Sequence, residues 1–306
     1  MNESTLIVTG GYGGVGAACV DALVRRGHHV IVAGRDLDKA RDVAARSGGR
    51  ARAMALDLGS FSSIRRFASE MRENAGPPLR GLVLNAGVMA LESVRTTEDG
   101  LEMNFGVNHV GHFLLTTLLL ERLTEPARIV AVSSSGHDPK TMAGRSGPPA
   151  WPGAEALARV ESGAAARMAP LSRYTTSKLC NVLFAYELSR RMRRAGRQIT
   201  ANAFDPGVVL GTTLGRELGV MNRVLTSQAW LLRLLGARLV SPRDAGEDLA
   251  KLASDAAFEG VSGKYFEGAR ETPSSDASYD EALARELWEV SERLVRPQQP
   301  ASVANA

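Results

Sequence analysis

The chain is poor in cysteine: Cys19 and Cys180 are the only two in 306 residues, and neither belongs to a Cys-x-x-Cys pair. They cannot build a disulfide framework, and such usage suits a reducing compartment. No uninterrupted apolar run is long enough to span a bilayer, so stable membrane insertion is not expected. No basic stretch followed by an apolar core opens the sequence, which enters a strand pattern by Thr5. We therefore expect a soluble, unexported protein of the cytoplasm. Excess charge is small, with 37 Lys and Arg against 33 Asp and Glu for a net +4. Part of it comes from Arg190-Arg191 and Arg193-Arg194, which read as a solvated helix face and imply no nucleic-acid partner. No Pro/Ser-rich linker and no internal repeat divides the chain.

What the chain does have is a regular alternation of short apolar runs and amphipathic stretches. The runs over 6–8, 30–33, 51–56, 81–84, 128–132 and 199–204 read as strands. Helical periodicity covers 15–26, 37–46, 61–74, 100–123 and 174–195, with Asp36 as the N-cap of the second helix. Strands that are apolar on both faces and separated by helices imply a parallel sheet covered on both sides. Right-handed crossovers then favour an α/β, doubly wound arrangement. We read one domain over 1–296 and a frayed tail over 297–306. Two stretches break the alternation. Residues 136–170 form an enlarged loop rich in Gly, Pro and Ala, and loops of that length are often functional. Residues 212–240 are apolar, with Val220, Met221, Val224, Leu225, Trp230, Leu231 and Leu235 at helix-like spacing. They read as a packed helix pair or as a lid over a substrate, with attachment to a membrane surface as the remaining reading.

The string Thr9-Gly10-Gly11-Tyr12-Gly13-Gly14-Val15-Gly16 lies where the first strand gives way to a helix. A turn there must let backbone N–H groups approach phosphate oxygens, which glycine permits. Two registers fit, Gly11-x-Gly13-x-x-Gly16 and Thr9-Gly10-x-x-x-Gly14-x-Gly16, and the spacing does not choose between them. Inside a βαβ unit the string implies dinucleotide binding. The second strand ends at Ala33-Gly34-Arg35-Asp36. A carboxylate there would bond ribose hydroxyls and favour NAD, whereas a guanidinium would pair with a 2′-phosphate. Arg35 comes first and Asp36 is better used as a helix cap, so NADP(H) is the expected cofactor.

In Tyr174-Thr175-Thr176-Ser177-Lys178 a phenol and an amine stand at i, i+4 and share a helix face. A free tyrosine, with a pKa of about 10, exchanges protons poorly near neutrality. A neighbouring ammonium, and the positive charge of an oxidised nicotinamide, would favour the phenolate. Lowering the phenol by three units is worth on the order of 4 kcal/mol, which requires a partly desolvated site.

Together with the glycine string, this pair makes the chain resemble the short-chain dehydrogenase/reductase family over nearly its whole length. The family's Thr-Gly-x-x-x-Gly-x-Gly selects Gly10, Gly14 and Gly16, and brings Tyr12, Gly13 and Val15 into the cofactor loop. Asp57-Leu58 matches an adenine-contacting pair. Asn85-Ala86-Gly87 matches Asn-Asn-Ala-Gly, with Leu84 in place of the first Asn. Pro206-Gly207, followed by Val209 and Thr212, resembles the segment that closes over the nicotinamide amide. The resemblance implies a Rossmann fold with a mostly parallel seven-stranded sheet and helices on both faces. It also implies roles: Tyr174 as general acid in reduction, Lys178 holding the ribose hydroxyls and tuning Tyr174, Ser134 rather than Ser133 or Ser135 orienting the substrate oxygen, and Asn108 positioning a water that feeds protons to Lys178. His109, His112 and Cys180 are expected to be structural, with no metal.

The strings Asn108-His109-Val110-Gly111-His112-Phe113, Ser177-Lys178-Leu179-Cys180-Asn181 and Leu287-Trp288-Glu289-Val290-Ser291-Glu292 resemble the retinol-dehydrogenase-like and protochlorophyllide-reductase-like branch. No N-terminal membrane anchor like that of many members of the branch is expected, and the chain departs from the branch in placing Asp205 before Pro206 where His or Tyr is frequent, and in a longer stretch between Ser134 and Tyr174. The expected activity is NADPH-dependent interconversion of a carbonyl and an alcohol on a fairly large, apolar small molecule. The family often assembles as homodimers or homotetramers, and the same is expected here. Reduction of a C=C bond in a large conjugated ring is the alternative. A non-catalytic NADP-binding sensor is disfavoured because both Tyr174 and Lys178 are kept.

Overall fold

Strand and helix alternate as the apolar pattern requires, in a computed structural model that describes residues 3–73, 76–91, 94–160, 164–209 and 239–297. Residues 212–238 of the expected lid and 298–306 of the expected tail lie outside the described residues. The first half runs β1 (Thr5–Thr9), α1 (Gly14–Arg25), β2 (His29–Gly34), α2 (Leu37–Ala45), β3 (Ala51–Ala55), α3 (Phe61–Glu73) and β4 (Leu79–Leu84). An interrupted helix follows, made of α4 (Met103–Phe105), a π-helical turn (Gly106–Val110), α5 (Gly111–Leu119) and a 3-10 turn (Leu120–Arg122). Next come β5 (Ala127–Val132), a 3-10 turn (Ser135–His137), and the short helices α6 (Met142–Ser146), α7 (Ala154–Ala158) and α8 (Ala164–Arg167). The long α9 (Pro170–Arg194) leads into β6 (Ile199–Asp205) and β7 (Val208–Val209). The chain closes with β8 (Leu239–Val240), α10 (Pro242–Ser254), β9 (Tyr265–Glu267), β10 (Arg270–Glu271) and α11 (Glu281–Leu294).

The main sheet has the order β10-β9-β6-β5-β4-β1-β2-β3. Seven of its strands run parallel; the eighth, β10, is antiparallel to β9 at the edge. The expected seven-stranded sheet therefore gains one strand, because two residues folded back around Gly268 (φ +60°) are too short to leave an apolar pattern. The chain steps outward from β1 to β2 and β3, then returns to place β4 on the other side of β1. That reversal opens a crevice at the carboxyl ends of β1 and β4.

Alternation along each strand sends side chains to two separate cores. Leu6, Val8, Val30, Val32, Val83 and Val130 pack beneath α1, α2 and α10. Ile7, Ile31, Leu82 and Ile129 face the opposite way, against α3, α5, α9 and α11. Helix α9 is buried along most of its length, from Ser172 to Ser189, so any polar group on its inner turns must find a protein partner. It starts at Pro170, one turn before the expected Tyr174, because proline at the first helical position costs no hydrogen bond. The helix expected over 100–123 starts later, at Met103. Gly100 turns the chain at φ +77°, and the Glu102 carboxylate caps the Phe105 N–H.

The enlarged 136–170 stretch is tied down by packing. Glu286 of α11 accepts from Trp151 Nε1 at 3.1 Å and from Ala154 N at 2.7 Å, while Leu157 enters the core. Among the described residues, no helix is long and apolar enough to cross a membrane.

Helices α1 and α10 approach so closely that a Cβ built on Gly246 would lie 2.5 Å from the Ala18 Cβ and 2.7 Å from the Cys19 backbone nitrogen. Backbone cannot yield as a flexible side chain does. Gly246→Val is expected to lower stability by about 1–3 kcal/mol, read as a lower urea midpoint at unchanged m-value.

Candidate active site

The turn from β1 into α1 chooses between the two glycine registers. Gly10 and Gly14 have φ of +62° and +49°, which other residues rarely adopt. A Cβ on Gly16 would lie 2.3 Å from the Gly10 carbonyl oxygen. The register is therefore Gly10-x-x-x-Gly14-x-Gly16, and Gly16 acts by permitting close packing behind the loop. No side chain caps the first turn of α1 and no acidic residue sits in it, so its N–H groups and helix dipole face the crevice as an anion-binding end. The loop lines a cavity of about 380 Å³ that runs along the strand ends. These features fit a dinucleotide pyrophosphate.

Thr9 and Asn85 fasten the loop to β4. Asn85 Nδ2 donates to the Thr9 carbonyl at 2.9 Å, and Thr9 Oγ1 accepts from Ala86 N at 2.9 Å. His112 Nδ1 bonds the Asn108 carbonyl at 3.0 Å and therefore carries the ring proton, which leaves Nε2 to accept from Thr9 Oγ1 at 2.9 Å. Burial holds His112 neutral, pushed down to about 4, and His109 is pushed down to about 3. His109 bonds Ser291 Oγ at 2.8 Å and lies among Phe105, Phe113 and Phe184. Both histidines thus have structural partners, and Cys180 is fully buried.

At the far end of the cavity, Tyr174, Lys178 and Ser134 line one wall with Pro206, Gly207 and Val209. The Lys178 amine sits 5.6 Å from the centre of the Tyr174 ring and donates to the Val132 carbonyl at 3.3 Å. Burial dominates both groups. It lowers Lys178 to about 8, against an opposing pull from Asp205. It raises the Tyr174 phenol well above its ordinary value; the Asp205 charge adds to that rise, while the Ser134 hydroxyl works the other way. Desolvation of a phenolate opposes the acidification expected from a neighbouring ammonium.

Asn108, in the π-helical turn, does not line the cavity. Its side chain accepts from Val88 N at 2.7 Å and donates to the Val88 carbonyl and to Ser177 Oγ, each at 2.9 Å. It fixes the wall at Gly87, where a Cβ would fall 3.2 Å from Asn108 Oδ1 and 3.4 Å from Lys178 Nζ.

At the other end of the cavity, Tyr12, Arg35, Asp57 and Leu58 line the rim. The Tyr12 ring covers Gly34 so closely that a Cβ there would sit 2.0 Å from it. Asp36 is turned away, its carboxylate capping the Lys39 N–H at 3.1 Å and paired with Lys39 Nζ, which leaves exposed Arg35 facing the cavity mouth. Thr212 lies outside the described residues. The sequence reading missed Met89, Val107 and Val132, which also line the cavity. The end of β5 places Val132 there, the π-helical turn Val107, and the irregular stretch after β4 Met89, and none of these leaves a residue-type signature.

Replacing Thr9 by Val orphans the Ala86 N–H and leaves His112 Nε2 without its donor. The expected cost is on the order of 1–3 kcal/mol, measured by urea unfolding, with Thr9→Ser close to the native chain.

Known proteins bear the same architecture. The short chain dehydrogenase family matches residues 4–144. Human retinol dehydrogenase 13 is 38% identical, over 97% of this chain and 86% of that protein. Human polyprenol dehydrogenase is 35% identical, over 94% of this chain and 84% of that protein. A crystal structure from Mycobacterium paratuberculosis is 32% identical, with a TM-score of 0.71 over 97% of this chain and 94% of that one. The Brucella melitensis 3-ketoacyl-(acyl-carrier-protein) reductase, solved with NADH, shares the fold at 23% identity and a TM-score of 0.63, over 87% of this chain and 96% of that one. With its glycine register, its parallel sheet and relatives of this closeness, the chain belongs to the short-chain dehydrogenase/reductase family, in its retinol-dehydrogenase-like branch.

Proposed function

We propose that this oxidoreductase uses NADP(H) to interconvert a carbonyl and an alcohol on a fairly large, apolar molecule, with Tyr174 as the acid/base group. One observation carries the reading: a phenol, an amine and a serine hydroxyl from α9 and the end of β5 share a single cavity with the phosphate-ready end of α1. When bound there, a reduced nicotinamide supplies hydride. The rest falls to the chain. Ser134 Oγ holds the carbonyl oxygen, and Tyr174 Oη hands its proton to that oxygen. Lys178 keeps its ammonium beside the phenol and stabilises the phenolate left behind. The buried setting withholds water and so strengthens each of these electrostatic effects.

Arg35 supports the choice of NADP(H). It is the cation at the ribose end, and the neighbouring carboxylate of Asp36 is engaged elsewhere. The substrate class rests on the retinol and polyprenol dehydrogenases among the relatives, whose names denote large apolar alcohols.

NADPH consumption with all-trans-retinaldehyde, and with a panel of long-chain aldehydes and ketones, tests the reading. Tyr174→Phe is expected to lose about 10²–10⁴-fold in kcat/KM; full turnover by that variant would exclude the phenol as proton donor. Because reduction needs the proton on Tyr174 and the charge on Lys178, kcat/KM for the carbonyl should hold below pH 8 and fall as pH rises through the Lys178 value of about 8. Arg35→Ser should raise KM for NADPH by about 10–100-fold, the worth of a charge-assisted hydrogen bond, and leave NADH nearly unchanged. Equal use of both cofactors by the native chain would remove the NADP assignment.

A further inference from the structure

A buried imidazole behind the reaction end lies outside the groups used so far. His137 ends the 3-10 turn that follows β5 and is 2% exposed. Its Nδ1 stands 2.8 Å from the backbone carbonyl oxygen of Ser134, and Ser275 N donates to its Nε2 at 3.0 Å. A ring nitrogen that accepts from a backbone N–H carries no proton, so the proton is on Nδ1 and is donated to the Ser134 carbonyl. The His137 backbone N–H donates to the same carbonyl at 3.1 Å. Burial lowers the imidazole below its ordinary value and so keeps it neutral, with the Ser134 bond and Asp138 acting the other way.

Ser134 is the residue held in this way. Its backbone is extended, at φ −169° and ψ 152°, and fixing its carbonyl fixes the direction in which its side chain leaves the strand end. Ser134 Oγ accepts from Gly136 N at 3.2 Å, which leaves the hydroxyl's own proton for a group in the cavity that Ser134 lines. Its neighbours are committed elsewhere. Ser133 Oγ donates to the Lys178 carbonyl at 2.7 Å, and the Ser135 carbonyl accepts from Thr141 Oγ1 at 2.8 Å. Against the imidazole lies Tyr265, with ring centres 4.7 Å apart. Tyr265 Oη donates to Asp205 Oδ2 at 3.1 Å, and Asp205 Oδ1 accepts from Gly207 N at 2.8 Å. Ser134 and Gly207 line the same cavity, so His137 belongs to a run of contacts that joins one to the other.

Building on the proposed oxidoreductase reading, we propose that His137 is a positioning residue, whose Nδ1–H holds the backbone carbonyl of Ser134 and so aims the Ser134 hydroxyl at the substrate oxygen. Ser275, 138 residues further along the chain, sets the tautomer that makes this possible. The imidazole moves no proton in the reaction, because both of its nitrogens are engaged by backbone groups and the residue does not line the cavity. Its two bonds separate into two substitutions. An asparagine amide places a donor near the Nδ1 position and has nothing at Nε2. A glutamine amide reaches the Nε2 position with its acceptor oxygen and leaves the Ser134 carbonyl without the side-chain donor.

The test compares crystal structures and kinetics of His137→Asn and His137→Gln. Ser134 Oγ should keep its place in His137→Asn and move by about 1 Å in His137→Gln, a displacement that costs about 10²-fold in turnover. Accordingly, kcat for carbonyl reduction should fall by about that factor in His137→Gln, with KM for NADPH near its native value, and His137→Asn should recover most of the loss. A purely structural imidazole predicts equal losses in both variants and an unmoved Ser134 Oγ, and either result would overturn the proposal. If His137→Gln does not fold, the native chain decides. Its ¹⁵N imidazole spectrum should show His137, one of five histidines, with Nδ1 protonated and Nε2 bare; the opposite tautomer would equally overturn the proposal. The crystal and NMR readings need neither nicotinamide nor a carbonyl compound. Failure of the oxidoreductase reading would appear separately, as no NADPH consumption by the native chain.

Discussion

Taking the Lys178 ammonium out of water is the constraint around which this site is organised. A buried charge costs several kcal/mol unless it is paired or hydrogen-bonded, and Lys178 is 3% exposed. The Val132 carbonyl at the end of β5 meets part of that cost. That partner could not be supplied from the sequence neighbourhood of Lys178. A parallel sheet supplies it because the carboxyl ends of its strands all lie at one edge.

The same edge explains why the glycine loop needs so little side-chain chemistry. Gly10 and Gly14 turn the chain from β1 into α1, and Gly16 lets the helix start close behind the loop. What remains facing the crevice is backbone N–H, fixed through Thr9 by Asn85, Ala86 and His112 from elements far away in the chain. The π-helical turn at Gly106–Val110 belongs to this support. It places Asn108 where one amide holds both backbone groups of Val88 and also Ser177 Oγ. The wall between the glycine loop and Lys178 is therefore fastened by hydrogen bonds from Asn108, Thr9 and Asn85.

Some of this is legible in the residue order and some is not. The strands of the central sheet announce themselves because each is apolar on both faces, and Asp36 is readable as a cap because a short acceptor before a helix has few other uses. Tyr174 and Lys178 are readable because i, i+4 spacing fixes a shared face. The helix start at Met103 and the strand β10 are not readable, since Glu102 caps from an unusual residue type and two residues carry no period. The 136–170 stretch reads as a loop, yet Glu286, more than a hundred residues later, anchors it through Trp151 and Ala154.

Residue order alone determined the α/β alternation, the dinucleotide turn and the phenol–amine pair, because each depends on local geometry within one or two turns of chain. Only the folded structure showed the bonds of Asn108 to Val88 and Ser177 and the burial of Tyr174 and Lys178. Those depend on groups brought together from separate elements, and the free energy of a charge is set by what surrounds it in space.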